Sequence, residues 1–139
     1  MTTSEEERIM NERFGKDNVI ALATIDRDSP AVRNVNAYYE NGAFYIITYA
    51  LSDKMRQIAV NSDVAVSGEW FTARGTAENI GWFKSRRNAK IAEKLRVVFS
   101  QWIGNGHNDF DDPNTIILKI KLRSAVLFSQ GTRYDICFQ

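Results

Sequence analysis

Apolar positions recur along this chain with two periods, and the switches between them divide it into elements. Ile9, Met10 and Phe14 form a stripe at helical spacing, and Ser4 followed by Glu7 fits a capping box. Residues 4–15 are therefore predicted to form a helix that Gly15 ends. Residues 19–25 are a compact run of β-formers that stops at a strong turn cluster, Asp26, Arg27, Asp28, Ser29 and Pro30. Residues 31–39 read as a second strand. Glu40, Asn41 and Gly42 supply a hairpin turn, because Asn and Gly tolerate positive φ, and residues 43–48 form the third strand. The first three strands thus make an antiparallel meander.

The period then changes. Met55, Ile58 and Ala59 recur at helical spacing over residues 52–60, with Ser52 as a good N-cap. Residues 64–71 and 73–80 return to strand composition. The longest helical pattern covers residues 82–103, with Ile91, Leu95, Val98, Phe99 and Trp102 on one face and Arg87, Lys90 and Lys94 elsewhere. Residues 104–114 are a polar loop. Residues 115–128 form a closing strand in which Ile116, Leu118, Ile120 and Leu122 alternate with Lys119, Lys121 and Arg123. The tail, residues 131–139, is expected to add an edge strand. About six strands with short helices between them predict a mainly β fold with flanking helices. The expected architecture is one domain over residues 1–139, a six-stranded antiparallel β-barrel of Greek-key type. A parallel doubly wound sheet would need helices between most strands, whereas tight turns join the first three.

Composition narrows the function without naming it. The 139 residues are 44% hydrophobic and 25% charged, which suits a globular domain with a real core. A net charge of +1 gives no global pull toward nucleic acid or membrane. No apolar run approaches the roughly 20 residues that span a bilayer. The first residues are acidic where a secretory signal would be basic, so the cytoplasm is the expected compartment. Cys137 is the only cysteine, which rules out an intrachain disulfide and a cysteine zinc cluster.

The informative stretch runs from Thr48 to Lys54, where the chain leaves a strand and enters a helix. A helix N-terminus offers free N–H groups and a positive dipole end, so it attracts phosphate. Thr48 and Ser52 add hydroxyl donors and Lys54 adds a charge. Arg33, on the preceding strand, is placed to turn its guanidinium toward the same end. The same residues also fit a plain capped helix with solvated charges.

The ordered segments resemble the FMN-binding split-barrel family of pyridoxamine 5′-phosphate oxidase and its general stress protein 26 relatives. Residues 19–25 resemble the first strand of that family. Arg33, Asn34, Val35, Asn36, Ala37 and Tyr38 resemble the strand whose arginine meets the FMN phosphate and whose backbone lines the flavin ring. Ile47 with Thr48, and Ser52 with Asp53 and Lys54, resemble the family's other phosphate elements. Residues 63–66 and 74–78 resemble the next strand pair. The resemblance implies an FMN cofactor, a homodimer with two FMN sites at the subunit interface, and a role for the region of Trp70 and Phe71 in reaching the partner's flavin. Two aromatics in a core or a dimer seam fit those last residues equally well. A flavoprotein oxidoreductase drawing on NAD(P)H is the function implied. The alternatives are a flavin-binding or stress-response module without turnover, or a relative that binds a deazaflavin or haem.

Three departures from the family pattern bear on this. Asp53 stands where the family often has a phosphate-binding arginine, and an acid there costs affinity unless it turns away or pairs with Lys54 or Arg56. Tyr38 stands where the oxidase has a substrate-binding lysine. The oxidase's C-terminal substrate segment is not evident in residues 131–139. Pyridoxamine phosphate oxidation itself is therefore not expected, and no side chain compels a catalytic role. His107, the only histidine, sits among Asp109, Asp111 and Asp112, which lack the spacing of a calcium loop and read better as a polar surface loop than as a metal site. The basic run at residues 84–90 reads as a solvated helix face rather than a nucleic-acid surface.

Overall fold

The computed structural model describes residues 2–138. The chain runs α1 (Ser4–Phe14), β1 (Asn18–Asp26), β2 (Ser29–Glu40), β3 (Ala43–Tyr49), α2 (Asp53–Val60), β4 (Asp63–Gly68) and β5 (Phe71–Trp82). A short 3-10 turn (Arg86–Asn88) leads into α3 (Ala89–Val98), followed by β6 (Thr115–Ser129) and β7 (Thr132–Cys137).

The strands lie in the order β3-β2-β1-β4-β5-β6-β7, and a further β3–β6 pairing closes the first six into an antiparallel barrel. The run β3-β2-β1-β4 is the Greek-key order, because α2 carries the chain across the barrel so that β4 lands beside β1. One edge of β6 serves two strands. Residues 115–121 pair with β3 and residues 124–129 pair with β7, which makes β7 the extra edge strand the tail suggested. Asn41 and Gly42, with φ of 47° and 79°, form the β2–β3 turn. Positive φ at both positions gives a twist that matches the flanking strands.

Two apolar clusters hold the fold. Inside the barrel Ile20, Leu22, Phe44 and Leu118 are fully buried, and α1 closes one end. Phe14 packs there with its ring centroid 5.7 Å from Phe44 and 5.0 Å from Phe71. Outside the barrel α3 lies on β3 and β6, burying Leu95 and Phe99 against Phe83 and Ile117. That second cluster explains why Ile117, on the outward side of β6, is as buried as its inward neighbours.

Three boundaries differ from the sequence expectation. Thr3, not Ser4, is the N-cap of α1, in a capping box with Glu6. Glu7 is thereby released to accept a 3.0 Å hydrogen bond from the Tyr39 hydroxyl. Phe71 begins β5 rather than ending β4, because the two-residue turn falls at Glu69 and Trp70. The expected helix at 82–103 is about half as long. Trp82 still pairs with Ile116, Gly81 bends at φ 99°, and the Asn88 side chain bonds the carbonyls of Ile80 and Trp82. These local bonds hold residues 82–88 out of the helix.

Candidate functional site

Strands β2 and β3 pair only at Tyr38↔Tyr45, Tyr39↔Phe44 and Glu40↔Ala43, next to their turn. Beyond Tyr38 they diverge. Each keeps its outer partner, β2 on β1 as far as Ser29 and β3 on β6 as far as Tyr49. The barrel wall is therefore split between Val35 and Asn36 on one side and Ile46, Ile47 and Thr48 on the other. The split opens into a cleft of ≈ 460 Å³ that these five residues line together with Lys54, Trp102 and the loop residues Asn105, His107 and Asn108. Backbone edges that lack a neighbouring strand are free to bond a ligand.

The polar end of the cleft is built by the turn from β3 into α2. The Lys54 ammonium donates to the Thr48 hydroxyl and, at 3.4 Å, to Ser52 Oγ. Ser52 occupies the N-cap position but makes no side-chain capping bond, so its hydroxyl faces Lys54 and not the helix. The first N–H groups of α2 are left without a side-chain acceptor. Asp53 does not compete at this point. It is exposed and forms an ion pair with Arg56, one turn along the outside of α2.

Arg33 approaches from β2, held by side chains the sequence reading did not single out. It donates to Thr24 Oγ1 at 2.7 Å, to the Leu22 carbonyl at 3.2 Å and to Gln57 Oε1 at 3.0 Å. The Thr24 hydroxyl in turn donates to Gln57 Oε1 at 2.6 Å. A guanidinium has five donors, so this triad fixes Arg33 and still leaves donors over. It also means that the fork is not presented whole to a ligand. Burial, and after it the nearby Arg33 charge, hold the Lys54 ammonium below its ordinary pKa. The partners of both cations are hydroxyls, an amide oxygen and a carbonyl. Two neighbouring positive charges with neutral partners favour an anion strongly.

The outer wall comes from the segment after α3. The Trp102 indole donates to Asp17 Oδ2 at 3.0 Å, and the Asn36 amide donates to Asp17 Oδ1 at 3.0 Å. Asp17 thus ties Trp102 to β2 across the mouth of the split. No sequence spacing links positions 17, 36 and 102.

The expected site residues divide accordingly. Val35, Asn36, Ile47, Thr48 and Lys54 line one cleft, Ser52 faces Lys54, and Arg33 stands behind. Asn34 is exposed on the outer face of β2, paired with Ala21. The Tyr38 side chain packs under α3, where its hydroxyl donates to Glu40 at 3.0 Å and burial raises its pKa to about 12. Trp70 is 71% exposed at the β4–β5 turn with φ 52°, and it does not line this cleft. Among the described residues no group of three or more His, Cys, Asp and Glu could hold a metal ion, and no helix is long and apolar enough to cross a membrane.

No family model and no curated protein matches the sequence. Solved structures match the fold. A FAD-binding protein from Mesorhizobium loti aligns with TM-score 0.67 at 14% identity over 90% of this chain and 92% of that one. General stress protein 26 from Bacillus anthracis aligns with TM-score 0.67 at 17% identity over 94% and 98%. A heme-binding protein from Mycobacterium smegmatis aligns with TM-score 0.68 at 16% identity, covering 99% of this chain and 59% of that one. At these identities the likeness is one of fold, and the fold is the split barrel the sequence pointed to.

Proposed function

We propose that this chain binds FMN in the split between β2 and β3 and works as a flavin-dependent oxidoreductase. One observation carries the reading. Lys54, half-buried near Arg33 and hydrogen-bonded to the Thr48 and Ser52 hydroxyls, makes an anion-seeking pocket in a cleft whose apolar lining is Val35, Ile46, Ile47 and Trp102. That pairing of a phosphate grip with apolar wall residues suits a phosphorylated flavin. Thr48, Ser52 and Lys54 would hold the phosphate with Arg33 behind them, and the backbone of residues 34–38 and the side chain of Ile47 would border the ring. When bound, the flavin supplies hydride and electron transfer. The chain itself binds the phosphate, orients the ring and shields one face of it with Trp102.

The homodimer belongs to the same reading. The outer face of β1 and β4 carries small side chains, Ala21, Ala23, Ala65 and Ser67, beside Val32, which is 68% exposed. A flat face of small residues suits close approach of a second copy. Trp70, outside the cleft of its own chain, is then available to the flavin of the partner. NAD(P)H is the proposed donor.

The visible spectrum of the purified protein tests the cofactor, and NAD(P)H oxidation tests turnover. Flavin absorption bands are expected, with oxidation of NADH or NADPH in the presence of a quinone or nitro acceptor. A Soret band in place of flavin bands would overturn the reading in favour of haem. Flavin bands without NAD(P)H oxidation would leave a binding module and overturn the oxidoreductase.

A further inference from the structure

The loop between α3 and β6 is held at both ends and aimed at the cleft in the middle. At its start, the Trp102 indole is tied to Asp17. At its far end Phe110 packs on Phe83 with ring centroids 4.6 Å apart, and the Arg96 guanidinium lies over both rings. The Phe110 carbonyl accepts from the Trp82 indole at 2.9 Å, and the Asp109 carbonyl accepts from the Thr115 hydroxyl at 2.7 Å. Between these anchors lies the tip, where Asn105, His107 and Asn108 line the same cleft as Thr48 and Lys54. Gly106 turns the tip at φ 90°, and the space around it and Gly104 is open. The His107 N–H donates to Asn105 Oδ1 at 3.0 Å, which leaves the imidazole outside that bond.

Three polar residues on a doubly anchored loop share the cleft with the lysine of the grip and give it a second polar segment. We propose that His107 is a ligand-binding residue of this cleft, donating a hydrogen bond to the phosphate that Lys54 holds. The inference rests on the FMN reading above and adds to it a contact from the loop between α3 and β6. The charged residue that lines the cleft with His107 is Lys54, with Arg33 behind it and Asp17 engaged by Trp102 and Asn36. An imidazole N–H on this segment would add a neutral-to-anion hydrogen bond to those of Lys54. Because His107 is exposed, its replacement leaves both cores intact.

The test is a fluorescence titration of FMN and of riboflavin into wild type and His107→Ala. The variant is expected to bind FMN about five- to tenfold more weakly. Riboflavin binding is expected to change less than about twofold, since it lacks the phosphate. Equal FMN affinity for both proteins would overturn the inference while leaving the FMN site in place. An equal loss for riboflavin would overturn the phosphate contact. Failure of the wild type to bind FMN at all would overturn the cofactor reading and this inference with it.

Discussion

Arg33 on β2 and Gln57 on α2 are joined by a 3.0 Å hydrogen bond, and Thr24 of β1 bonds to both. This triad ties the first turns of α2 to the barrel wall. It sets where Arg33 stands relative to Lys54, and hence the charge density of the grip. Gln57→Ala should therefore weaken FMN without touching it, by about 1 kcal/mol, because Arg33 loses one charge-assisted bond but keeps Thr24 and the Leu22 carbonyl as partners. Lys54→Ala removes a direct charge and should cost about 1–3 kcal/mol. Isothermal titration with FMN checks the order; a Gln57 loss as large as that of Lys54 would contradict a positioning role.

Lys54 is a stability liability that serves binding. Its pKa is lowered chiefly by burial and further by Arg33, so the folded state holds the ammonium less readily than the unfolded chain does. The sign follows from linkage: at neutral pH the charged form penalises folding, and the penalty lifts as pH rises through the depressed pKa. Lys54→Met should thus raise the Tm of the protein without FMN, by about 1–2 °C, since solvent screens the half-exposed ammonium, while abolishing the preference for FMN over riboflavin. Differential scanning fluorimetry reads the first effect; a lowered Tm would contradict the account.

Asp53 faces outward to Arg56 and not into the grip. Asp53→Asn should leave FMN affinity within about 0.5 kcal/mol of wild type, as expected for an exposed ion pair. A gain well beyond that would place the carboxylate against the phosphate after all.

Three phenols, Tyr39 buried and Tyr38 and Tyr45 half-buried, make the fold sensitive to alkali. Burial is the first cause in each case: Tyr38 rises to about 12, and Tyr39 and Tyr45 are also raised. The unfolded chain loses these protons near pH 10 and the folded chain keeps them, so stability is full below about pH 10 and falls toward pH 12. Urea midpoints across that window should decline, and Tyr38→Phe should make the decline shallower. Tyr39→Phe does more at neutral pH, because Tyr39 also donates to Glu7 and accepts from the Gly42 N–H at 2.9 Å. That substitution should cost about 1–3 kcal/mol through unsatisfied partners, with FMN affinity little changed.

The strands and their order were legible because alternation and turn chemistry are local signals. Asn41 with Gly42 marked its hairpin, and the alternation from Ile116 to Leu122 marked the closing strand. The turn from Thr48 to Lys54 was legible for the same reason, since one short segment carries hydroxyls, charge and helix start together. Residues 82–103 misled because the stripe of Ile91, Leu95, Val98, Phe99 and Trp102 is helical in period, whereas Trp82 and Phe83 ahead of it belong to a strand end and a turn. The Thr24–Arg33–Gln57 triad and the tie from Asp17 to Asn36 and Trp102 were not legible, being tertiary contacts between ordinary polar residues. The side-chain placement of Tyr38 was hidden too, since alternation along β2 gives it a face but not the helix that covers that face.

The Lys54 end of the split is proposed to hold a phosphate, and parallel titrations of the protein with FMN and riboflavin, followed by quenching of flavin fluorescence, compare a flavin that carries one with a flavin that lacks it. FMN is expected to bind at least about 100-fold more tightly, as two or more charge-assisted contacts require. Equal affinity for the two flavins would contradict it.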